Sequence, residues 1–369
     1  MSGYPIRVTA LALLCAIPVN ACAQNDPLKP VHYKRDAKDR VISLDYWGTS
    51  GLQRAVPRDV SQLERVYISY GTKLTADDVS VLSTLENVND LMLGGVSSAM
   101  EPVTIEGSLE KLAGLKRLRT LWLCKERFRD EDLEFIAKLP ELESMDLFAD
   151  NDDEQKSVIT DRSAEFFRRA KTIRWLSIFG GEKLTDDFVN IISQDLPRLE
   201  SLDLTLSGEL TDISLEMLAS RCTRLKKLRL GSKRFTDRGM RHLTAASQLE
   251  QLWLSAGSLT EACADSIQQL KSLRYLELPL ATIDDRALRQ LASLPKLEIL
   301  ALRGPALTDE QFALLGNHPA LESAFLNGSK LSEAKVIEVV KSIPKLRHLT
   351  VGPDKSPLQL AVNHELLGR

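Results

Sequence analysis

Between Leu225 and Leu321 the chain repeats itself every 24 residues with almost no slippage. Three successive copies read LEQLWLSAGSLTEACADSIQQLKS from Leu249, LRYLELPLATIDDRALRQLASLPK from Leu273 and LEILALRGPALTDEQFALLGNHPA from Leu297. A fixed period of this length restricts the fold more than composition does. Each copy is a unit too small to bury its own apolar edges, so it must bury them against its neighbours.

Counted from its first leucine, a copy is apolar at positions 1, 4 and 6, as in Leu273, Leu276 and Leu278. Positions 4 and 6 are one residue apart, the period of a strand, so positions 3, 5 and 7 point to the opposite face. Position 11 is apolar again (Leu259, Ile283, Leu307) and is followed by Thr, Ser or Asp and then by acids. Thr308-Asp309-Glu310-Gln311 has the form of a capping box, with a hydroxyl at the N-cap and Gln three residues on. Acids in a first helical turn also suit the positive end of the helix dipole. Leu288, Leu291 and Leu294 then recur at helical spacing, and Pro295, Pro319 and Pro344 stand where helices stop. Each copy therefore predicts a strand, a turn, a helix and a return. Stacked copies give a parallel sheet with helices behind it.

These residues carry a resemblance to the leucine-rich repeat family, in its helix-bearing subtype similar to ribonuclease inhibitor and the cysteine-containing repeats. The stretch LTDISLEMLASRCTRLKKLRL, with Cys222 just before the next strand, is especially similar to the latter. Anchors recur at Leu63, Val88, Leu118, Leu142, Ile173, Leu199, Leu225, Leu249, Leu273, Leu297, Leu321 and Leu346, so the likeness covers most of the chain. It implies an α/β leucine-rich repeat solenoid, a horseshoe with a concave parallel β-sheet and outer helices, whose work is binding. One departure stands out. Where the family carries Asn or Cys at position 9, this chain has Lys233, Gly257, Ala281, Pro305 and Ser329. The hydrogen-bonded ladder of those family residues is therefore not carried over.

Residues 1–23 hold one charge, Arg7, an apolar run from Val8 to Val19, and the small-residue end Ala21-Cys22-Ala23. This is the pattern of a secretory signal, too short for a membrane span. A second reading takes Val19-Asn20-Ala21-Cys22 as a lipoprotein signal with Cys22 lipidated. Either one predicts an exported chain, periplasmic, secreted or at the cell surface. Residues 24–62 form a lead-in whose Val41, Leu44 and Tyr46 suggest an atypical first strand capping the stack. Residues 63–352 form about twelve repeats, and 353–369 a tail or cap. Two units are long, with extra residues around Gly94 to Gly107 and at Asp150-Asn151-Asp152-Asp153-Glu154. Both extras fall between strand and helix, on one rim, where inserted loops often join a binding surface. The acidic run has carboxylates suited to Ca²⁺ but lacks the turn glycine of an EF-hand loop, and a solvated acidic run is the better reading.

Net charge is −3, without a basic stripe, which argues against nucleic acid as a partner. Beyond the leader, Cys124, Cys222 and Cys263 lie in different repeats at unrelated positions, which is neither a disulfide framework nor a metal spacing. No cofactor or metal is expected. Catalysis is not expected either. Cys124 is placed on the concave face, but the concave histidine, His348, is nine repeats away, and nucleophilic chemistry needs a base within reach. Asp146 and Asp203, two strands apart, read as ordinary polar residues of that face.

All four tryptophans fall on outward strand positions. The expected binding residues are Tyr67, Met92, Trp122, Phe148, Trp175 and Phe179. A smaller second patch comprises Trp253 and Tyr275 beside Lys227, Arg229 and Glu277. Exposed aromatics in a row are typical of interface anchors. Aromatics in neighbouring strands also stack on each other without binding anything. The sequence thus leads to a non-enzymatic repeat scaffold that binds a protein partner on its aromatic face. Carbohydrate or cell-wall material is the second reading. The third, for a cytosolic chain, is a substrate adaptor of a ubiquitin ligase resembling the F-box type.

Overall fold

The computed structural model describes residues 31–47, 51–68, 72–94, 104–105, 108–125, 128–149, 159–205, 207–304, 306–329, 331–352 and 358–361. The expected leader with Cys22, the acidic run 150–154 and most of the 94–107 insertion lie outside them. The chain divides into two compact units, one of residues 1–142 with 147–157 and the other of 143–146 with 158–369.

The first unit contains β1 (Val31–Arg35), β2 (Val41–Tyr46), α1 (Leu52–Ala55), β3 (Arg65–Ile68), β4 (Lys73–Leu74), α2 (Ala76–Ser83), β5 (Asp90–Leu93), β6 (Thr104–Ile105) and β7 (Thr120–Lys125). Strands β2, β3, β5 and β7 pair in parallel, while β1 pairs antiparallel to β2. That antiparallel strand falls in the polar lead-in and was not foreseen from it. Of the first insertion, Thr104–Ile105 pairs back in parallel on Lys73–Leu74. Two segments expected to be α-helical, Leu109–Gly114 and Asp130–Lys138, are 3₁₀ helices. Their buried residues Leu109, Leu112 and Leu115, then Leu133, Ile136 and Leu139, recur every three residues and line up on one side of a three-residue turn, a spacing that the later helix Asp285–Ala292 carries in α form.

Strand β8 (Ser144–Ala149) is divided between the units. The second unit continues with α3 (Ala164–Phe167), β9 (Trp175–Phe179), α4 (Asp186–Asp195), β10 (Ser201–Leu204), α5 (Asp212–Arg221), β11 (Lys227–Thr236), α6 (Asp237–Leu243) and β12 (Gln251–Ser258). It ends with α7 (Ala264–Ile267), β13 (Tyr275–Pro279), α8 (Asp285–Ala292), β14 (Ile299–Arg303), α9 (Asp309–Ala313), β15 (Ser323–Asn327), α10 (Glu333–Ser342), β16 (His348–Gly352) and β17 (Leu358–Ala361). Strands β9 to β16 are parallel and in register, and β17 runs antiparallel to β16.

The register makes the repeat physical. Position 4 forms one row, Leu176, Leu202, Leu228, Leu252, Leu276, Leu300, Ala324 and Leu349, each paired with the next. Every member is at most 1% exposed. Position 2 forms a second row through its main chain: each amide donates to the carbonyl one repeat earlier, as Glu250 N to Lys226 O at 2.8 Å and Arg274 N to Glu250 O at 2.7 Å. Side chains at this position largely alternate in sign, so Arg174 bonds Glu200 at 2.7 Å and Arg274 bonds Glu298 at 2.5 Å.

A third row replaces the family ladder that position 9 does not supply. The N-cap hydroxyl of one helix and its backbone amide both donate to the first-turn aspartate of the preceding repeat. Thr185 bonds Asp161 at 2.8 Å (N) and 2.7 Å (Oγ1), and Thr211 bonds Asp186 at 3.0 and 2.5 Å. Thr236 bonds Asp212 at 2.9 and 2.6 Å, Thr260 bonds Asp237 at 3.0 and 2.6 Å, and Ser332 bonds Asp309 at 2.8 and 2.5 Å. Each hydroxyl also caps its own helix, and the capping box of Thr308 with Gln311 forms as its sequence predicts. The ladder is interrupted at two N-caps, Asp284, which accepts instead from Ala287 N, and Thr308, whose amide donates to its own Gln311. Gly239 sits where any side chain would strike the Asp212 carboxylate, so the ladder also explains a glycine inside α6. Of the position 9 residues, Ser329 keeps one inward bond, accepting Leu307 N at 3.0 Å.

Two stability outcomes follow from these rows. Leu276→Ala, at a fully buried site, is expected to cost about 2–5 kcal/mol, and a near-neutral urea midpoint would refute the register. Asp212→Ala leaves two donors of Thr236 without their acceptor and is expected to cost roughly 1–3 kcal/mol. A double-mutant cycle with Thr236→Val separates that coupling from general helix weakening.

Candidate functional site

The sheet face opposite the leucine rows carries positions 3, 5 and 7, and it differs between the two units. In the first, Asp45, Tyr67, Met92 and Trp122 form one row in register. Tyr67 donates its hydroxyl to Asp90 Oδ2 at 2.7 Å, and burial and this bond both raise its pKa. Burial likewise raises Asp90. The expectation that the first patch faces solvent does not hold for Met92 and Trp122 of this row or for Phe148 on β8. Met92 and Trp122 are each 8% exposed and Phe148 is 7% exposed. Strands about 4.8 Å apart bring wide side chains on consecutive strands into contact, and each then covers the next. Cys124, also placed on this face, is 1% exposed and packs where a side chain on Gly94 would collide with it. It is not a surface thiol.

In the second unit the aromatics remain half-exposed. Trp175 and Phe179 lie at the two ends of β9, Trp253 at the middle of β12 and Tyr275 at the start of β13. Two of the rings are covered by arginine rather than by another ring: Arg174 Cζ lies 4.4 Å from the Trp175 centroid and Arg229 Cζ 4.9 Å from that of Trp253. Such stacking leaves the guanidinium edge available while the ring holds its plane. Arg174 was not among the residues the sequence singled out; it stands at position 2, outside the outward set. The Arg229–Trp253 pair was legible, since the two occupy position 5 of consecutive copies 24 residues apart.

Between these rings runs a polar row. Asp203 pairs in register with Ser177 on one side and Arg229 on the other, and Arg229 with Trp253. Asp203 spends Oδ1 on the amide and hydroxyl of Thr205, and its Oδ2 lies 3.4 Å from Arg229 Nη1. Burial raises its pKa against the pull of Arg229. Asp146 is pushed up to about 7, by burial first and then by the charge of Asp203, with Ser177 donating to it in opposition. The two acids thus interact through space and are not independent polar residues. Glu277, expected as an outward charge, is 3% exposed; it accepts Arg303 Nε at 2.6 Å and the Tyr275 hydroxyl at 2.5 Å. A guanidinium over the carboxylate closes it from water, so it does not belong to the exposed patch.

Elsewhere the chemistry is quiet. Cys222 and Cys263 are buried, and burial lifts both thiols to about 12, far from nucleophilic. His318 is buried with Nε2 at 3.1 Å from Leu294 O, while its Nδ1 accepts two amides. Among the described residues there is no group of three or more metal-ligating side chains. A cleft of about 450 Å³ beside α4 and α5 is lined by Asp186 and Thr211 of the Thr–Asp ladder and by the Arg234–Glu209 ion pair, whose polar atoms are already committed.

The position of Asp146 has a measurable consequence. Its folded pKa lies above the ordinary value of 3.8, so the stability linked to its proton is complete below that value and is lost as pH rises through about 7. Asp146→Asn is therefore expected to match the wild type near pH 4 and to be the more stable protein at pH 8. A difference of roughly 1–2 kcal/mol is expected once solvent screening at this half-buried site is allowed for. Parallel thermal melts across that range check it. Trp122→Ala, by contrast, is expected to lose about 3–5 kcal/mol as a buried large-to-small change.

The sequence matches no protein-family model and no curated protein. Among solved structures it is similar to an internalin of Listeria monocytogenes, at 19% identity and a TM-score of 0.50, over 84% of this chain and 83% of that one. It is also matched to a leucine-rich repeat protein of Leptospira interrogans, at 18% identity and a TM-score of 0.45, over 84% of this chain and 80% of that one. The in-register leucine rows, the strand–turn–helix repeat and the likeness to the internalin agree: the chain has the leucine-rich repeat fold.

Proposed function

We propose that the chain is an exported, non-enzymatic leucine-rich repeat scaffold that binds a protein partner through the second unit's sheet face. The observation that carries this is the set of half-exposed rings at Trp175, Phe179, Trp253 and Tyr275, set among charged groups on a rigid sheet. Partly exposed aromatics with polar handles are what protein interfaces use as anchors. The first unit's row is better read as packing, because Met92, Trp122 and Phe148 are already covered. Tyr67 is half-buried and tied to Asp90. The buried, high-pKa thiols support a binding role over nucleophilic catalysis. Export rests on the leader pattern of residues 1–23.

Affinity capture from the source cells with the full chain, run beside Trp175→Ala and Trp253→Ala proteins of unchanged melting temperature, tests the binding role. A protein retained by the wild type and reduced several-fold by both variants is the expected result. Equal retention by all three would place binding elsewhere, and capture of a glycan on an array, lost in the same variants, would favour the carbohydrate reading. Mass spectrometry of the natural protein tests export: a mature start at Gln24 or a diacylated Cys22 agrees with it, and an intact Met1 start in the cytosol refutes it.

A further inference from the structure

Three arginines border the second unit's sheet face, and they are not equally satisfied. Arg174 donates through Nε and Nη2 to Glu200 at 3.0 and 2.7 Å. Arg303 donates through Nε to Glu277 at 2.6 Å. Arg229 differs. Its nearest carboxylate, Asp203, stands off at 3.4 Å and is held by Thr205, and Arg229 Nε has no acceptor among the described residues. The Trp253 Nε1 beneath it also lacks an acceptor. Both of these nitrogens are buried, so the guanidinium, held over the ring with its side chain 15% exposed, meets a partner through its Nη end, where Asp203 is a loose 3.4 Å neighbour. Lys227, half-buried two residues earlier on the same strand, adds a second positive charge.

We infer that Arg229, with Lys227 beside it, receives a carboxylate of the protein partner, from an Asp or Glu side chain within a segment whose apolar residues lie on Trp175, Trp253 and Tyr275. This rests on the protein-binding role proposed above and names the chemistry of its central contact. A guanidinium presents parallel N–H donors that match a carboxylate, and a ring under it reduces the entropy lost on pairing. The surroundings select a single negative charge over a polyanion. Asp203 stands in register with Arg229 on the adjacent strand, so a polyanion meets a negative charge beside the two cations while a single carboxylate needs only the cations themselves.

The test uses the full chain and a random peptide library displayed on phage. Selected peptides are expected to share an Asp or Glu, and to bind Arg229→Gln at least about tenfold more weakly than wild type. Changing that acid to Asn or Gln should produce a similar loss on the wild type and little further loss on Arg229→Gln. Arg229→Lys, which keeps the charge but not the fork, should fall between, and it serves as the readout if Arg229→Gln does not fold. Peptides without a shared acid, or indifferent to both Arg229 variants yet lost in Trp175→Ala and Trp253→Ala, would overturn the carboxylate contact and leave the face as a binding surface. Peptides indifferent to every variant on the face would overturn both readings.

Discussion

No repeat in this chain completes itself. A strand of five residues leaves its amides and carbonyls open on both sides, and a leucine at position 4 has no partner within its own copy. Both needs are met by the adjacent copy, through the parallel ladder and the row from Leu176 to Leu349. The turn adds a third dependence in much of the second unit, because the N-cap residues Thr185, Thr211, Thr236, Thr260 and Ser332 reach back to an aspartate in the repeat before. Neighbour dependence of this kind makes the stability of a repeat array a sum of local and interfacial contributions, with end strands that need covering. Here the antiparallel strands β1 and β17 pair with the outermost parallel strands of their respective units.

The Thr–Asp ladder is an alternative solution to a problem the family solves with Asn or Cys at position 9. The interior of each turn must present acceptors to the backbone of the next repeat, or buried amides go unpaired. Moving the acceptor to the first helical residue lets one carboxylate act twice, favouring its own helix N-terminus and accepting two donors from the next. This frees position 9, and the chain uses that freedom widely, with Lys233, Gly257, Ala281 and Ser329 all standing there. The position nevertheless keeps one trace of the inward ladder at Ser329.

Regular spacing has a second effect on the opposite face. Side chains there stand in rows one strand apart, so what each residue exposes depends on the neighbouring copy. Wide side chains in succession close on each other, as at Met92 and Trp122. A tryptophan next to an arginine instead becomes a platform, as at Trp253 and Arg229. The same rule buries Glu277 beneath Arg303 and couples Asp146 to Asp203. Charge and aromaticity on such a surface have to be read across the strands, pairwise, before a binding role is assigned.

The period, the strand and helix positions and the buried leucines were legible in the sequence because each depends on spacing along the chain, which a 24-residue repeat displays directly. The capping box at Thr308 was legible for the same reason, being local. What the tertiary structure decided lies between copies: which outward rings are covered, that Cys124 packs against Gly94, that Glu277 is closed off beneath Arg303, and that aspartates accept from the N-cap of the following repeat. Those outcomes follow from distances between side chains about 24 residues apart in sequence and one strand apart in space. A pattern along the chain states which face a residue occupies; only the packed neighbour determines whether water still reaches it.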